Sequence, residues 1–129
     1  MKISIEHIAY WVEDLERVKN FYESYFNAST GALYENEKKG FRSYFLSLGG
    51  GARIEIMQKA GIDKSNNKGH VMGLAHIALS LGSRENVDRM TTQLGAEGVT
   101  IIGQPRTTGD GYYESVVADP EGNLIELTE

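Results

Sequence analysis

The sequence predicts an α+β fold built from two tandem modules, each of which runs strand, helix and three further strands. An apolar strand that holds a single histidine occurs twice, as IEHIAYWV at 5–12 and LAHIALSL at 74–81. A helical pattern and three strand patterns follow each copy, and a polar segment separates the two halves. We therefore interpret residues 1–129 as one domain, with a first module over about 1–58, a linker over about 59–72 and a second module over about 73–129.

The first module begins with a predicted strand over 2–12, a stretch rich in Ile, Tyr, Trp and Val. Asp14 is expected to cap a helix of about three turns, because apolar side chains recur there at the helical period. These side chains are Leu15, Val18, Phe21, Tyr22, Tyr25 and Phe26. Three strands are then expected at 32–34, 41–48 and 52–57, separated by the polar turn NEKKG and by three successive glycines.

The second module repeats this order after the linker, which is polar and has no periodicity. A strand over 73–81 leads to a helix that Ser83 is expected to cap. The remaining predicted elements are strands at 99–102, 112–118 and 124–128, a loop at 104–111 and a tight turn at 119–123. The duplication also shows in spacing, because the two histidines are 69 positions apart and Glu55 and Glu126 are 71 apart.

Composition narrows the classes of function. Thirteen basic and eighteen acidic residues give a net charge of −5, which argues against nucleic acid or an anionic membrane as the main partner. There is no cysteine, so thiolate chemistry is excluded. No signal peptide and no membrane-spanning run is recognisable, so we expect a soluble cytoplasmic protein that acts on a small-molecule substrate.

Side-chain alternation places candidate metal ligands on matching strands. His7 and His76 have the parity opposite to their apolar neighbours, and Glu55 and Glu126 stand between apolar residues in the last strand of each half. Each residue alone is most simply a solvated or satisfied side chain. The repeated His–Glu pair instead favours a shared site for a divalent metal such as Ni, Zn, Mn, Co or Fe, with two nitrogen and two oxygen ligands.

Three segments resemble the vicinal oxygen chelate superfamily. HIAYWVEDLERVKNFYESYF is similar to its opening strand and helix, AHIALSL to its second-half strand, and DPEGNLIELTE to its closing hairpin. The superfamily includes glyoxalase I, methylmalonyl-CoA epimerase, extradiol dioxygenases, and the fosfomycin and bleomycin resistance proteins. The resemblance covers nearly the whole chain and implies two βαβββ modules that form a cupped mixed sheet around a metal site.

The ligand pattern resembles that of bacterial glyoxalase I most. That resemblance implies His7, Glu55, His76 and Glu126 as metal ligands. It also implies a lactoylglutathione lyase-type isomerisation of a 2-oxoaldehyde hemithioacetal through a metal-stabilised enediolate. Glu126 would be the catalytic base, with Glu55 as a ligand and possible catalytic partner.

Two positions depart from the glutathione-using pattern. Trp11 stands where those enzymes usually carry an arginine, and Lys59 stands where they tend to have an asparagine. Lys59, Arg42 or Arg106 are candidate replacements for binding substrate carboxylates, and Trp11 is a candidate wall of an apolar substrate pocket. Trp11 as ordinary core filling is an equal alternative.

Other functions stay open at this point. They are acyl-CoA epimerase-like proton transfer, Fe(II)-dependent ring cleavage, for which Glu55 would be surplus, and small-molecule binding or antibiotic resistance without catalysis. The resemblance further implies a homodimer, in which the four ligands come either from one chain or from two.

Overall fold

The computed structural model describes every residue, Met1–Glu129, and confirms the predicted α+β class. The chain divides into two compact units, Met1–Lys64 and Ser65–Glu129, which we call the first and second modules from here on. The first contains β1 (His7–Trp11), α1 (Leu15–Phe26), β2 (Ser29–Thr30), β3 (Tyr34–Asn36), a 3-10 turn (Glu37–Lys39), β4 (Phe41–Ser47) and β5 (Arg53–Lys59). The second contains β6 (His76–Ser80), α2 (Arg84–Ala96), β7 (Ile101–Thr107), β8 (Tyr113–Ala118) and β9 (Leu124–Thr128).

The first module is a sheet with one helix on its face. Its strand order is β1-β5-β4-β2, with β3 also paired to β4, and β1 runs parallel to β5. Asp14 caps α1 as expected, because its Oδ1 accepts a hydrogen bond of 3.0 Å from the backbone N–H of Arg17. The helix contacts β4 and β5. The side chains buried in this core are Leu15, Val18, Phe21 and Tyr22 of the helix and Leu46, Ile54 and Ile56 of the strands.

The second module repeats the arrangement with the order β6-β9-β8-β7, and β6 runs parallel to β9. Ser83 caps α2 by accepting from the backbone N–H of Asn86 at 3.2 Å. Thr91 of the helix and Ser115 of the sheet share a buried hydroxyl–hydroxyl hydrogen bond of 2.7 Å. The apolar core consists of Val87, Leu94, Val117, Ala118, Ile125 and Leu127. Neither helix of the chain is long and apolar enough to cross a membrane.

Several predicted boundaries were wrong. The first strand begins at His7 and not at residue 2, because β5 starts only at Arg53 and leaves the earlier residues without a neighbouring strand. The strand predicted at 32–34 lies instead at Tyr34–Asn36. Lys59, assigned to the linker, is the last residue of β5, where it pairs with Phe41.

The predicted loop at 104–111 was also partly wrong, because residues 104–107 belong to β7. β8 extends far enough to pair Thr107 with Tyr113, so the ladder continues past two register shifts. Pro105 does not prevent this, because β7 is the edge strand of its sheet, where a missing N–H is tolerated.

The turn between β8 and β9 is organised by a buried aspartate. Asp119 Oδ1 accepts from the backbone N–H groups of Glu121 and Asn123, both at 2.9 Å, and Oδ2 accepts from Asn123 Nδ2 at 2.8 Å. Burial raises the pKa of Asp119, while the hydrogen bonds from Asn123 and Glu121 lower it. The turn sets the register in which β9, the strand of Glu126, pairs with β8.

We expect Asp119→Ala to lower the free energy of unfolding by about 1–3 kcal/mol, because three donors lose their acceptor in a buried turn. Urea denaturation measures this change. Asp110→Ala, at an exposed aspartate in another turn, is the matched control and should change stability by less than about 0.5 kcal/mol. Equal losses in the two variants would contradict a special role for the Asp119 turn.

Candidate functional site

The first module brings together its two predicted ligands on one sheet face. In the parallel pairing of β1 and β5, His7 is opposite Arg53 and Ala9 is opposite Glu55, so His7 and Glu55 are diagonal neighbours. His7 Nε2 lies 3.7 Å from Glu55 Oε1. The histidine is exposed, whereas the Glu55 side chain is only 14% exposed. The apolar residues on either side of Glu55 point to the helix, as the alternation predicted.

The second module reproduces this geometry in the same register. His76 is opposite Leu124 and Ala78 is opposite Glu126, so this His–Glu pair is again diagonal across two parallel strands. His76 Nε2 lies 3.2 Å from Glu126 Oε2, and the Glu126 side chain is 24% exposed. Two separate sheets therefore present the same pair of donor atoms in the same way.

The donor atoms fit a divalent metal. Each pair supplies one imidazole nitrogen and one carboxylate oxygen on an accessible sheet face, and no sulfur is present. Mixed nitrogen and oxygen ligands of this kind suit Zn, Ni, Mn, Co and Fe. Neither module by itself groups three or more metal-binding side chains.

The polar row of the second module continues beyond its ligand pair. Glu114 on β8 lies on the same face as Glu126, because Val116, two residues along β8, is opposite Glu126. Glu114 is only 7% exposed, and its Oε2 is buried without a hydrogen-bond partner. Arg106 on β7 is in turn opposite Glu114. The four strands thus contribute, in spatial order, a histidine, two glutamates and an arginine.

This environment alters the proton affinity of Glu126. Burial raises the pKa of its carboxyl, and the neighbouring Glu114 carboxyl raises it further. The positive charges of His76 and Arg106 act in the opposite direction. The net result is a pKa above the ordinary value, which makes Glu126 a stronger base than an exposed glutamate.

The first module has a serine and a tyrosine at the corresponding positions, beside further aromatic side chains. Ser43 of β4, opposite Met57, takes the place of Glu114, and Tyr34 of β3 takes the place of Arg106. Trp11 packs edge-on against Phe41 with ring centroids 6.1 Å apart, and Tyr34 packs against the same ring at 6.0 Å. Trp11 and Tyr34 remain 41% and 53% exposed. An aromatic surface therefore adjoins the His7–Glu55 pair.

The three predicted substrate residues occupy different surroundings. Trp11 belongs to the aromatic surface, and Lys59 is an exposed residue at the end of β5 on that same face. Arg106 is also exposed, and its Nη1 lies over Gly103, 3.4 Å from where a β-carbon would stand. The missing side chain at Gly103 thus leaves room for the guanidinium group.

Sequence reasoning did not establish the surroundings of Glu114 or of Glu6. Glu114 shares its parity with Val116 and not with the helix-facing Ser115, so an acidic residue at that parity in a buried strand was the available signal. Glu6 lies just before β1, and its carboxylate contacts both His7 Nδ1 and the Arg53 guanidinium. Because residues 2–12 were taken as one strand, strict alternation concealed this contact.

Two tandem modules, βαββββ and βαβββ, with matched parallel strands define the fold class, and comparison with known proteins identifies the family. The profile of the Glyoxalase/Bleomycin resistance protein/Dioxygenase superfamily matches residues 4–127, and the chain belongs to that superfamily. The uncharacterized protein YqjT of Bacillus subtilis (strain 168) is 25% identical over 135 residues, covering 95% of this chain and 96% of YqjT.

Solved structures have the same fold. A glyoxylase/bleomycin resistance protein/dioxygenase domain from Frankia sp. EAN1pec superposes with a TM-score of 0.84 at 16% identity, covering 99% of this chain and 98% of that one. Glyoxalase I from Zea mays superposes with a TM-score of 0.79 at 22% identity, covering 97% of this chain. The alignment spans only 44% of the maize chain.

The contact between Glu126 and Glu114 leads to a prediction for the metal-free protein. Glu126 should titrate above the ordinary glutamate range, and Glu114→Gln should lower its pKa by removing the neighbouring carboxyl. Because the folded pKa exceeds the unfolded one, this group's contribution to the free energy of unfolding falls as pH rises between the two values. Carbon-detected NMR of the Glu126 carboxyl measures the shift.

Glu85→Gln, at an exposed glutamate on α2, is the control and should leave the Glu126 titration unchanged. An unchanged Glu126 pKa in Glu114→Gln would show that burial alone accounts for the shift.

Proposed function

We propose that this protein is a metal-dependent enzyme of the glyoxalase I type, which isomerises the hemithioacetal of a 2-oxoaldehyde. The observation that carries the proposal is the pair of His–Glu contacts in identical register on equivalent strands. His7, Glu55, His76 and Glu126 would together hold one divalent metal, which would act as a Lewis acid on the substrate oxygens. Membership of the superfamily agrees with this chemistry.

The metal, when bound, supplies Lewis-acid polarisation of the substrate carbonyl. Glu126 removes a proton from the substrate carbon beside the carbonyl and returns it to the adjacent carbon. The raised pKa of Glu126 supports this assignment, because a general base works best when its pKa approaches the working pH. Glu55 has the role of a ligand and possible partner in the transfer.

The side chains around the His7–Glu55 pair indicate the chemical character of the substrate. Trp11, Phe41 and Tyr34 form an aromatic surface where an arginine would bind glutathione in the enzymes this chain resembles. Lys59 and Arg106 are exposed cations on the two sheet faces and are candidates to bind a substrate carboxylate. We propose that Trp11 contacts an apolar part of the substrate and that the two cations bind its anionic part.

The aromatic surface also favours a second candidate. Proton transfer beside the carbonyl of an acyl-CoA, or of another compound with an apolar substituent, would use the same ligands and the same base. Trp11 suits such a substrate better than it suits the tripeptide glutathione. A small-molecule binding or resistance protein without catalysis is the remaining alternative, and it would require none of the four ligand side chains.

Glu126→Gln should lower turnover by about 10²–10⁴-fold, because the amide cannot accept the carbon-bound proton. The assay uses protein loaded with Ni²⁺ or Zn²⁺, with methylglyoxal plus glutathione and then plus other thiols. Glu85→Gln is the control and should keep full activity. Removal of the metal with a chelator should abolish turnover, and restoring it should recover turnover.

Deuterium incorporation at the carbon beside the carbonyl distinguishes the candidates. Exchange with thiol adducts supports the glyoxalase assignment, and exchange only with acyl thioesters supports the epimerase. Full activity in Glu126→Gln would rule out that residue as the base. Protein that binds no metal but still binds small molecules would exclude both enzymes and support the binding protein.

We further propose a homodimer, and its ligand arrangement can be tested by mixing two inactive variants. One variant carries His7→Ala and Glu55→Gln, and the other carries His76→Ala and Glu126→Gln. If each metal site draws on two chains, a heterodimer of these variants regains one intact site. Random mixing should then restore about one quarter of wild-type activity, because half of the dimers are mixed.

If all four ligands come from one chain, the mixture stays inactive. Analytical ultracentrifugation of the wild type and of the mixture establishes the oligomeric state in the same solutions. A monomer at the assay concentration would contradict the proposed dimer. Mixing each variant with itself is the control for the exchange procedure.

A further inference from the structure

His7 takes part in a network of contacts that no other candidate ligand has, although its ring remains partly exposed. Its Nδ1 contacts the carboxylate of Glu6, and the same carboxylate forms an ion pair with Arg53. The Arg53 guanidinium stacks on the Phe45 ring, 4.2 Å from its centroid. Phe45 in turn packs edge-on against the His7 ring at 5.2 Å. The imidazole therefore contacts an aromatic ring and, at Nδ1, a carboxylate, and its Nε2 is directed toward Glu55.

The position of Glu6 in the chain permits this contact. Glu6 precedes β1, so the strict alternation of a strand does not direct its side chain away from His7. Its backbone is nevertheless fixed, because the Glu6 carbonyl accepts from the Arg53 N–H at 2.9 Å. Arg53 thus holds Glu6 through both backbone and side chain, and it lies directly opposite His7 in the ladder.

The contact selects one tautomer of the neutral imidazole. A carboxylate can only accept, so Nδ1 must carry the proton that it donates to Glu6. The lone pair is then on Nε2, the atom that faces Glu55. A histidine binds a metal through the nitrogen that has no proton, and a carboxylate on the other nitrogen fixes both tautomer and ring orientation.

The second module has no equivalent of Glu6 and Arg53 beside its histidine. Ala75 precedes His76, and Leu124 stands where the first module has Arg53. The polar partner of His76 is Glu126, on the Nε2 side at 3.2 Å. In metal-free protein this contact favours a proton on Nε2, the atom that would have to bind the metal. We therefore expect His7 and His76 to carry the ring proton on different nitrogen atoms in the metal-free protein.

We propose that Glu6, held by Arg53, is a positioning residue that keeps His7 in the Nδ1–H tautomer with Nε2 available to a divalent metal. His7 is then ready to bind before any metal arrives, whereas His76 must change tautomer when the metal binds, with the proton leaving Nε2 to solvent and Nδ1 taking one up from solvent. The effect on metal affinity rests on the proposed function. The tautomer of His7 does not, because it is a property of the metal-free protein.

The test is two-bond ¹H–¹⁵N NMR of the histidine rings in the full-length metal-free protein, at an alkaline pH well above the ordinary pKa of an imidazole. Wild-type protein should show Nδ1–H for His7 and Nε2–H for His76. Glu6→Ala should shift His7 toward Nε2–H and leave His76 unchanged. Glu6→Gln should restore Nδ1–H, because its amide oxygen still accepts a hydrogen bond.

Zn²⁺ affinity, measured by competition with a chromophoric chelator, provides the second readout. Glu6→Ala should weaken binding by roughly 10–100-fold, as is typical when a carboxylate behind a ligating histidine is lost. Glu35→Ala is the matched control, because Glu35 is also an exposed glutamate paired with an arginine, Arg42, at 3.9 Å. It should change neither the tautomers nor the affinity.

A His7 ring that carries its proton on Nε2 in wild-type protein would overturn the inference. So would a Glu6→Ala protein whose His7 tautomer and Zn²⁺ affinity both match those of the wild type. If His7 shows Nδ1–H and responds to Glu6→Ala, but no variant binds Zn²⁺, the positioning of His7 is upheld and the proposed metal-dependent function fails.

Discussion

The parallel pairing between the first and last strands of each module is the constraint on which the candidate site depends. It places His7 diagonal to Glu55 and His76 diagonal to Glu126 on the face away from the helix. A register shift of one residue would turn each glutamate into the apolar core, because side chains alternate along a strand. The His–Glu pairs therefore exist only while the registers of β1 with β5 and of β6 with β9 are kept. The buried turn at Asp119 has a separate effect, because it joins β8 to β9 and sets the register between those two strands.

In each sheet, one face packs against the helix and stabilises the fold, and the other face carries the polar side chains of the candidate site. A single strand contributes residues to both faces. Ile54 and Ile56 are buried against α1, and Glu55 between them faces the other way beside His7. Burial of the isoleucines stabilises the fold by about 1.5–3 kcal/mol each, which holds the strand in position without involving the polar face. Side chains on the polar face can therefore differ between the modules while the core stays alike.

The sequence was sufficient for the fold class, the helix caps and the two His–Glu pairs, because these follow from alternation and from residue types within short segments. It was insufficient for Glu114 and Glu6. Their importance depends on which residue stands opposite on the next strand, as Arg106 does for Glu114, and register is set by long-range pairing. The strand over 2–12 was overextended for the same reason, since local propensity contains no information on where the neighbouring strand begins.

Glu55 and Glu126 have different surroundings, because the outer strands of the two modules carry different side chains. Duplication provides Glu55 and Glu126 with the same backbone position and the same histidine neighbour. Glu55 has Phe45 opposite it, however, whereas Glu126 is close to the buried carboxyl of Glu114. The histidine and glutamate donors thus have the same arrangement in both modules, but the side chains around them differ. Such broken symmetry lets one of two equivalent acids specialise, and it arises from residues that need not touch a metal or a substrate.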